Sequence, residues 1–157
     1  MRTKPGYWGW LVGLLSGKPH FLVGGETNPY LRRWYLIPRN KRRNVYLHNF
    51  VRDDDDRALH DHPWPFWSVI LWRGYREHTP DGVRVRRFGS IARMPAEHRH
   101  RVELFRDEAG NPLPCWTLIV TGPTVRNWGF WCPQGFVPWQ RFVAKDNHGE
   151  VGRGCGE

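Results

Sequence analysis

The feature that most constrains the fold is a series of short runs, rich in β-branched and aromatic residues, that turn-forming residues separate. Each run ends near glycine, proline or aspartate, and the separators 79–82 and 107–112 contain residues that favour tight reversals. After residue 20, apolar residues rarely recur with helical spacing. Short strands with turns at this spacing predict an all-β sandwich or barrel. The predicted strands are residues 32–37, 44–51, 66–73, 83–88, 98–105, 116–121 and 127–131.

Four of the eight histidines form two His-x-His pairs, His60 with His62 and His98 with His100. Side chains two residues apart in a strand point to the same face. Each pair can therefore direct two imidazoles to one point, and two strands that meet in a barrel can supply three or four. Neutral imidazole is the commonest protein ligand of transition metals. The two pairs together predict a bound metal ion.

The length of 157 residues suits one domain with a core of its own, and no Ser/Gly linker divides the chain. We predict a single domain over residues 1–145 and a disordered tail over residues 146–157, which are rich in glycine and charge. Within the domain, residues 1–20 form an N-terminal segment whose apolar stretch 7–15 predicts a short helix that packs on the barrel. This stretch is shorter than the roughly 20 residues that cross a bilayer, so no membrane partner is expected.

The charge balance favours anionic partners. Lysine and arginine number 24 against 15 acidic residues, which gives a formal net charge of +9. Such a field attracts a small anionic substrate, and it also leaves nucleic acid open as a partner. The one acidic run, 53–56, lacks the alternating ligands of a calcium loop and is predicted to be a solvated loop.

The three cysteines, Cys115, Cys132 and Cys155, include no Cys-x-x-Cys pair. This number and spacing predict neither a disulfide framework nor a thiolate zinc site. Because disulfides are rare in reducing compartments, the pattern favours a cytoplasmic protein.

The histidine pairs lie in two motifs that resemble those of the cupins. The first cupin motif is Gly, five residues, His-x-His, three or four residues, Glu, six residues and Gly. The second is Gly, five residues, Pro-x-Gly, two residues, His, three residues and Asn. Laid on this chain, the motifs cover residues 54–104, about a third of the sequence. The matching positions are His60, His62, Gly74, Gly89, Pro95 and His100.

The resemblance implies a cupin, or double-stranded β-helix (jelly-roll), barrel in which His60, His62 and His100 hold a metal. Three motif positions differ: Asp54 replaces the first glycine, Glu97 the glycine of Pro-x-Gly, and Leu104 the final asparagine. The most consequential departure is at the carboxylate ligand, where Trp67 stands, or Phe66 on the shorter spacing. Two sites stay open: a three-His site, as in cupins similar to thiol dioxygenases, and a four-His site completed by His98. A three-His face suits Fe(II) with substrate and O₂, and four nitrogens suit a closed or copper site. We expect a divalent transition metal, Fe(II) first, with Zn, Ni, Mn or Cu as alternatives.

Two further residues are candidate catalytic groups. Alternation continued from Trp67 directs Val69, Leu71 and Arg73 into the barrel, where Arg73 would anchor a substrate carboxylate or phosphate. The alternative is that Arg73 lies at the barrel rim. Tyr75 is the nearest tyrosine that could act with a histidine in proton transfer.

These observations favour an enzyme, a mononuclear iron dioxygenase that acts on a small anionic or aromatic compound. One alternative is a non-catalytic module that senses a ligand or binds protein or nucleic acid, because the cupin fold serves both roles. Another is a metal-free epimerase or isomerase of sugar nucleotides that uses a histidine and Tyr75. Homodimerisation is also possible, because cupins often pair through sheet edges.

Overall fold

The computed structural model describes residues 6–54, 58–144 and 152–156. These ranges hold mostly strands, with a short N-terminal helix, so the all-β prediction is confirmed. In chain order the elements are α1 (Tyr7–Leu15), β1 (Phe21–Val23), β2 (Leu31–Tyr35), β3 (Val45–Phe50), β4 (Leu59–His60), β5 (Phe66–Trp72), β6 (Gly74–Thr79), β7 (Gly82–Arg87), β8 (Ile91–Met94), β9 (Arg101–Leu104), β10 (Cys115–Thr121), β11 (Gly129–Cys132), β12 (Gly135–Pro138) and α2 (Trp139–Phe142).

The strands form one large and two small antiparallel sheets. The large sheet has the order β1-β2-β3-β10-β5-β8, and the small ones have the orders β12-β11-β4 and β7-β6-β9. Every predicted strand overlaps an observed one, and β1, β4, β6, β8 and β12 were not predicted. Of these, β6 escapes the pattern because one of its buried positions is a glutamate, Glu77, rather than an apolar residue.

The large sheet turns one face of β5 and β10 into the barrel. On β5 the buried residues are Phe66, Ser68 and Ile70, which alternate with the exposed Trp67 and Leu71. The prediction that Val69, Leu71 and Arg73 point inward is therefore wrong by one residue. The phase was set by placing Trp67 inside, whereas the smaller Phe66 fills that position. Arg73 lies exposed in the connection from β5 to β6, with φ of +58°.

The helix α1 contacts the barrel mainly through Trp10. The indole N–H of Trp10 donates to the carbonyl of Tyr35 at 2.7 Å, and the ring packs on the core residues around Tyr35. His20 joins the two segments, since its Nδ1 accepts the backbone N–H of Tyr35 and its Nε2 lies 3.0 Å from the carbonyl of Trp10. No residue of α1 is buried. Neither helix in the described ranges has the length and continuous apolar sequence that a bilayer crossing requires.

Cys132 and Cys155 form a disulfide. The prediction of unpaired cysteines is wrong for these two, because residues 152–156 return to the end of β11. The backbone N–H of Gly152 donates to the carbonyl of Phe142, so this part of the predicted disordered tail packs beside α2. Residues 145–151 and 157 lie outside the described residues. The pairing removes the argument for a reducing compartment, and the cytoplasmic location stays a prediction.

Candidate metal centre

His60 and His100 come from different motifs and meet as backbone neighbours. They form an antiparallel bridge in which each N–H donates to the other carbonyl at 2.9 Å. His60 ends β4, and His62 follows two residues later at the start of the Pro63–Pro65 turn. The His-x-His spacing keeps both imidazoles on the side of His100.

The three imidazoles form an almost equilateral triangle. Their ring centroids are 5.2 Å (His60–His62), 5.0 Å (His60–His100) and 5.1 Å (His62–His100) apart. The Nε2 atoms of His62 and His100 are 2.9 Å apart. Two nitrogens that bind one metal at about 2.0–2.1 Å in adjacent positions lie about 3 Å apart. The group could hold a metal ion, because its three donor atoms lie within 4.8 Å of one another and the pair from His62 and His100 already has the spacing that ligation requires.

Electrostatics favours the neutral imidazole, the form that can bind a metal, at His60 and His62. Burial, followed by the charge of His100, holds the pKa of both His60 and His62 well below the usual value. Both imidazoles are therefore neutral near pH 7 and keep a lone pair for a metal. The Nδ1 of His60 is buried without a hydrogen-bond partner among the described residues, and its nearest carboxylate, Asp54, is 3.8 Å away.

A fully buried carboxylate, Glu77, orients the third imidazole. The Nδ1 of His100 donates to Glu77 at 3.0 Å, so that its Nε2 faces His62. His98 and Arg86 also donate to Glu77, each at 2.8 Å. Burial alone would raise the pKa of Glu77, but these hydrogen bonds outweigh burial and lower the pKa well below its usual value. Carboxylates behind a metal-ligating histidine fix its tautomer and strengthen it as a ligand.

We expect Glu77→Gln to weaken metal binding by about 10–100-fold without abolishing it. The amide keeps the size of the side chain but loses the negative charge that holds the proton on Nδ1 of His100. Competition with a chromophoric chelator measures the affinity. Glu103→Gln is the matched control, because Glu103 accepts from His78 at 2.6 Å outside the triangle. Equal losses in the two variants would contradict the orienting role of Glu77.

The position of the cupin carboxylate ligand is occupied by Phe66. Its ring lies edge-on to His62 at 4.7 Å, and the ring of Trp64 stacks on the same imidazole at 5.1 Å. Trp67 points outward and is 50% exposed. Of the two residues that the motif allowed at this position, the structure therefore selects Phe66, and the triangle has no carboxylate.

His98 does not join the three-imidazole group. It precedes β9 in an irregular segment, so strand alternation does not govern its direction. Its ring lies 5.1 Å from that of His100, and its Nε2 bonds to Glu77. Glu77, His98 and His100 are a second group whose donor atoms lie close together. The hydrogen bonds among them account for that closeness.

The triangle opens onto a cavity of about 450 Å³ inside the barrel. Aromatic side chains form a large part of its wall, and the candidate Tyr75 is among them, whereas Arg73 is not. Burial, followed by the nearby charge of Glu77, raises the pKa of Tyr75, so its phenol stays protonated. The aromatic lining residues are Phe21, Tyr30, Tyr35, Tyr46, Phe50, Trp64, Phe66, Tyr75, Trp128, Phe130 and Trp139.

Two arginines, Arg33 and Arg39, supply the positive charge in this cavity. Each guanidinium lies over a tyrosine ring, Arg33 over Tyr46 at 5.0 Å and Arg39 over Tyr35 at 5.9 Å. Arg33 also donates to Nε2 of His48 at 2.8 Å. Burial, followed by the charge of Arg33, holds the pKa of His48 well below the usual value, so this pair carries a single charge.

Asp61, between the two ligating positions, fastens the loop that carries them. The side chain is fully buried and points away from the imidazoles, as alternation requires. It accepts the backbone N–H of Gly129 at 2.9 Å and the indole N–H of Trp131 at 3.0 Å, and it pairs with Arg126. This carboxylate therefore joins the end of β4 to β11 from the side opposite the triangle.

The acidic run was predicted to be a solvated loop, which is wrong for Asp54, whereas the side chain of Asp53 is partly exposed. Asp54 is buried and accepts the backbone N–H of Val102 at 2.8 Å, while burial raises the pKa of Asp54 to about 6. Asp53 accepts the N–H of Leu104 at 2.7 Å. The two aspartates thus attach the segment before His60 to β9, the strand that follows His100.

No family model matches this sequence, and no curated protein matches it. Solved structures do match. An uncharacterised protein from Klebsiella pneumoniae with a double-stranded β-helix domain is 16% identical over 68% of this chain and 89% of its own, with a TM-score of 0.50. The chain has the cupin fold. Two other structural neighbours are a putative mannose-6-phosphate isomerase from Ralstonia eutropha (19% identity, 66% and 93% coverage, TM-score 0.50) and the polyketide cyclase RemF from Streptomyces resistomycificus (17%, 69% and 73%, TM-score 0.51).

Proposed function

We propose that this cupin is a mononuclear iron dioxygenase that acts on a small anionic compound with an aromatic or apolar body. The observation that carries the proposal is the triangle of His60, His62 and His100 with Phe66 in place of a carboxylate. Three neutral ligands leave the whole charge of a divalent metal uncompensated. An anionic substrate that binds beside the metal supplies the missing negative charge, which favours such a substrate over a neutral one.

Iron held by three imidazoles supplies redox chemistry with O₂ and keeps coordination positions open. The protein's own groups would bind and orient the substrate. Arg33 and Arg39 provide guanidinium donors for a carboxylate, sulfonate or phosphate. The protonated Tyr75 phenol can donate a hydrogen bond, and the aromatic wall excludes water around the reacting atoms.

The size of the cavity restricts the substrate to a small molecule. A volume of about 450 Å³ lies within the range of small-ligand pockets, and the many aromatic residues of its lining match an apolar body. Single-stranded nucleic acid, the other anion considered, would have to reach a site enclosed by the barrel. The positive charge near the metal site therefore favours a small anionic molecule as the substrate.

The decisive experiment is oxygen consumption by anaerobically purified protein that has been loaded with one equivalent of Fe(II). A panel of hydroxybenzoates, short thiol carboxylates and sugar phosphates serves as substrate. We expect iron-dependent O₂ uptake with at least one aromatic or thiol carboxylate. Iron binding without O₂ uptake but with isomerisation of the panel would overturn the dioxygenase proposal in favour of Lewis-acid chemistry. Full activity after exhaustive chelation would overturn the metal enzyme altogether.

With a substrate in hand, Arg33→Gln is expected to raise KM about 10–100-fold, because it removes hydrogen bonds from a charged group worth about 1.5–3 kcal/mol. The turnover number should fall less, since the arginine binds the substrate away from the metal. Arg32→Gln is the matched control, because Arg32 lies on the same strand and is exposed on the opposite face. A similar rise in KM for both variants would show that net charge, rather than the cavity arginine, is responsible.

A further inference from the structure

A row of three polar residues crosses the inner face of the large sheet and takes no part in the metal triangle. The register places Arg33 on β2 opposite His48 on β3, and His48 opposite Thr117 on β10. All three belong to the lining of the cavity. His48 is 5% exposed and Thr117 is fully buried. Polar groups enclosed in this way need hydrogen-bond partners, so the bonds that the row makes and lacks point to its use.

The tautomer of His48 follows from the hydrogen bond that it makes. A guanidinium nitrogen only donates, so Nε2 of His48 accepts the bond of 2.8 Å from Nε of Arg33. Burial, followed by the charge of Arg33, holds the pKa of His48 well below the usual value, and the ring is therefore neutral. A neutral imidazole that accepts at Nε2 carries its proton on Nδ1. His48 thus has an N–H donor that makes no hydrogen bond within the described part of the chain.

The residues on both sides of His48 also have unused hydrogen-bonding groups. The Oγ1 of Thr117 is buried and has no hydrogen-bond partner among the described residues. An unpaired buried hydroxyl destabilises a fold, and native structures contain few such groups. The terminal nitrogens of Arg33 make no hydrogen bond or ion pair in the described ranges. The row therefore offers several donors to a bound molecule.

The donors of Arg33 and His48 are close enough to bind neighbouring groups of one small molecule. A single ring carbon separates Nδ1 of His48 from Nε2, the atom that is bonded to Arg33. A carboxylate on the guanidinium of Arg33 would therefore present the substituent of its adjacent carbon to His48. An N–H donor requires an acceptor, and the oxygen of a hydroxyl or keto group is one.

The charges of the cavity disfavour an ammonium group at the same position. An ammonium only donates, so it would face the N–H of His48 and the positive charge of Arg33 without an acceptor. Of the described residues that line the cavity, Asp54 alone carries a carboxylate. This carboxylate accepts from the backbone of β9, whereas Arg33 lies on β2. An amino acid would therefore bind less well than the matching hydroxy acid.

A group bound at Arg33 lies within electrostatic reach of the metal triangle. Burial is the largest cause of the low pKa of His62, followed by the charges of His100, His60 and Arg33. The guanidinium is therefore near enough to the triangle for its charge to act on a ligating ring. A small molecule held by Arg33 stays in the part of the cavity that the triangle faces.

We propose that the cavity selects an α-hydroxy or α-keto carboxylate over the corresponding amino acid, with Arg33 binding the carboxylate and His48 the neighbouring oxygen. Thr117 supplies a hydroxyl beside His48 for the same oxygen. This inference rests on the proposed use of the cavity for a small anionic substrate, and it narrows that substrate to one class. His48 then determines specificity, in addition to holding Arg33.

Three probes with a common skeleton test this proposal. Phenyllactate, hydrocinnamate and phenylalanine differ in one group on the carbon beside the carboxylate, which is a hydroxyl, a hydrogen or an ammonium. Calorimetric titration into the full chain loaded with zinc, which has no redox chemistry, measures each dissociation constant without turnover. We expect phenyllactate to bind about 3–10-fold more tightly than hydrocinnamate, as one net hydrogen bond provides. Phenylalanine should bind more weakly than hydrocinnamate.

Variants of the row separate specificity from support of Arg33. His48→Phe keeps a planar ring and removes both nitrogens, so phenyllactate and hydrocinnamate should bind equally well. His48→Asn places an amide nitrogen near the position of Nδ1 and should retain part of the preference for the hydroxyl. If His48 only held Arg33 in place, its loss would weaken both ligands in proportion and leave the preference unchanged. Thr117→Val should reduce the preference and raise the temperature of thermal unfolding, because it removes an unpaired buried hydroxyl.

His78→Phe is the matched control. It makes the same replacement at an imidazole that bonds to Glu103 outside the cavity, and it should leave all three dissociation constants unchanged. A preference for phenyllactate that persists in His48→Phe would assign the oxygen to the zinc ion and overturn the role of His48. Tighter binding of phenylalanine than of phenyllactate, or binding of none of the probes, would overturn the substrate class. None of these outcomes depends on O₂, so the substrate class can fail while the dioxygenase stands, and the reverse.

Discussion

Replacing His62 by alanine is expected to abolish stoichiometric metal binding. The Nε2 of His62 lies 2.9 Å from that of His100, so removal of this ring deletes one corner of the imidazole triangle. The affinity for Fe(II) or Zn(II) should fall by more than the roughly 100-fold that loss of an outer carboxylate can cause. Elemental analysis after desalting should give about one metal per wild-type chain and close to none for the variant.

A stability measurement gives a second readout that needs no substrate. Free metal at about 100 times its dissociation constant should stabilise the wild type by about 2.7 kcal/mol and leave His62→Ala unchanged. His78→Ala is the control, since His78 bonds to Glu103 away from the triangle. His98→Ala should keep its metal, because the ring bonds to Glu77 rather than joining the triangle. Retention of one metal by His62→Ala, or its loss from His98→Ala, would contradict this assignment of ligands.

The grouping of His60 with His62 was predictable because its geometry is local. Two residues in a strand share a face when one residue separates them, and His62 keeps this relation to His60 although β4 ends at His60. The motif spacing then brought in His100, and the structure places it beside them. The sequence did not decide whether Phe66 or Trp67 points into the barrel after the Pro63–Pro65 turn, because that depends on where β5 begins. Placing Trp67 inside shifted the alternation of β5 by one residue, and this reversed the expected direction of Arg73.

The residues that support the triangle were not predictable, because they depend on the pairing of distant strands. Glu77 reaches His100 only because β6 pairs with β9, with Glu77 opposite Val102. Arg33 enters the cavity because it follows the exposed Arg32 on β2, and the sequence alone shows only an arginine cluster. A buried glutamate within a strand leaves one signal in the sequence, a break in apolar alternation, and this break is also what hid β6.

The outward face of the large sheet was not predictable for the same reason. Each strand, taken alone, shows apolar residues on both faces, which the sequence alone assigns to a dense core. Only the register reveals that Trp34, Leu47 and Leu118 lie in one row on the outside. Of the ten tryptophans, Trp64, Trp128 and Trp139 line the cavity, whereas Trp34, Trp67 and Trp116 lie on this outward face.

Asp61→Ala is expected to destabilise the fold by about 3–5 kcal/mol, as removal of one partner from a buried ion pair does. The carboxylate is fully buried, and its loss leaves the N–H of Gly129 and the indole N–H of Trp131 without their acceptor. Equilibrium unfolding in urea measures the change. Because the residue lies between His60 and His62, loosening of this loop should also weaken metal binding.

Two variants distinguish the loss of the buried hydrogen bonds of Asp61 from the loss of a negative charge in general. Asp61→Asn keeps an acceptor oxygen for Gly129 and should lose less stability than alanine. Asp81→Ala removes a carboxylate that pairs with Arg84 at 3.7 Å on the surface, where its side chain is 81% exposed, and should change stability by less than about 1 kcal/mol. If Asp61→Ala were as stable as Asp81→Ala, the attachment of β4 to β11 through Asp61 could not be what holds the two histidines in place.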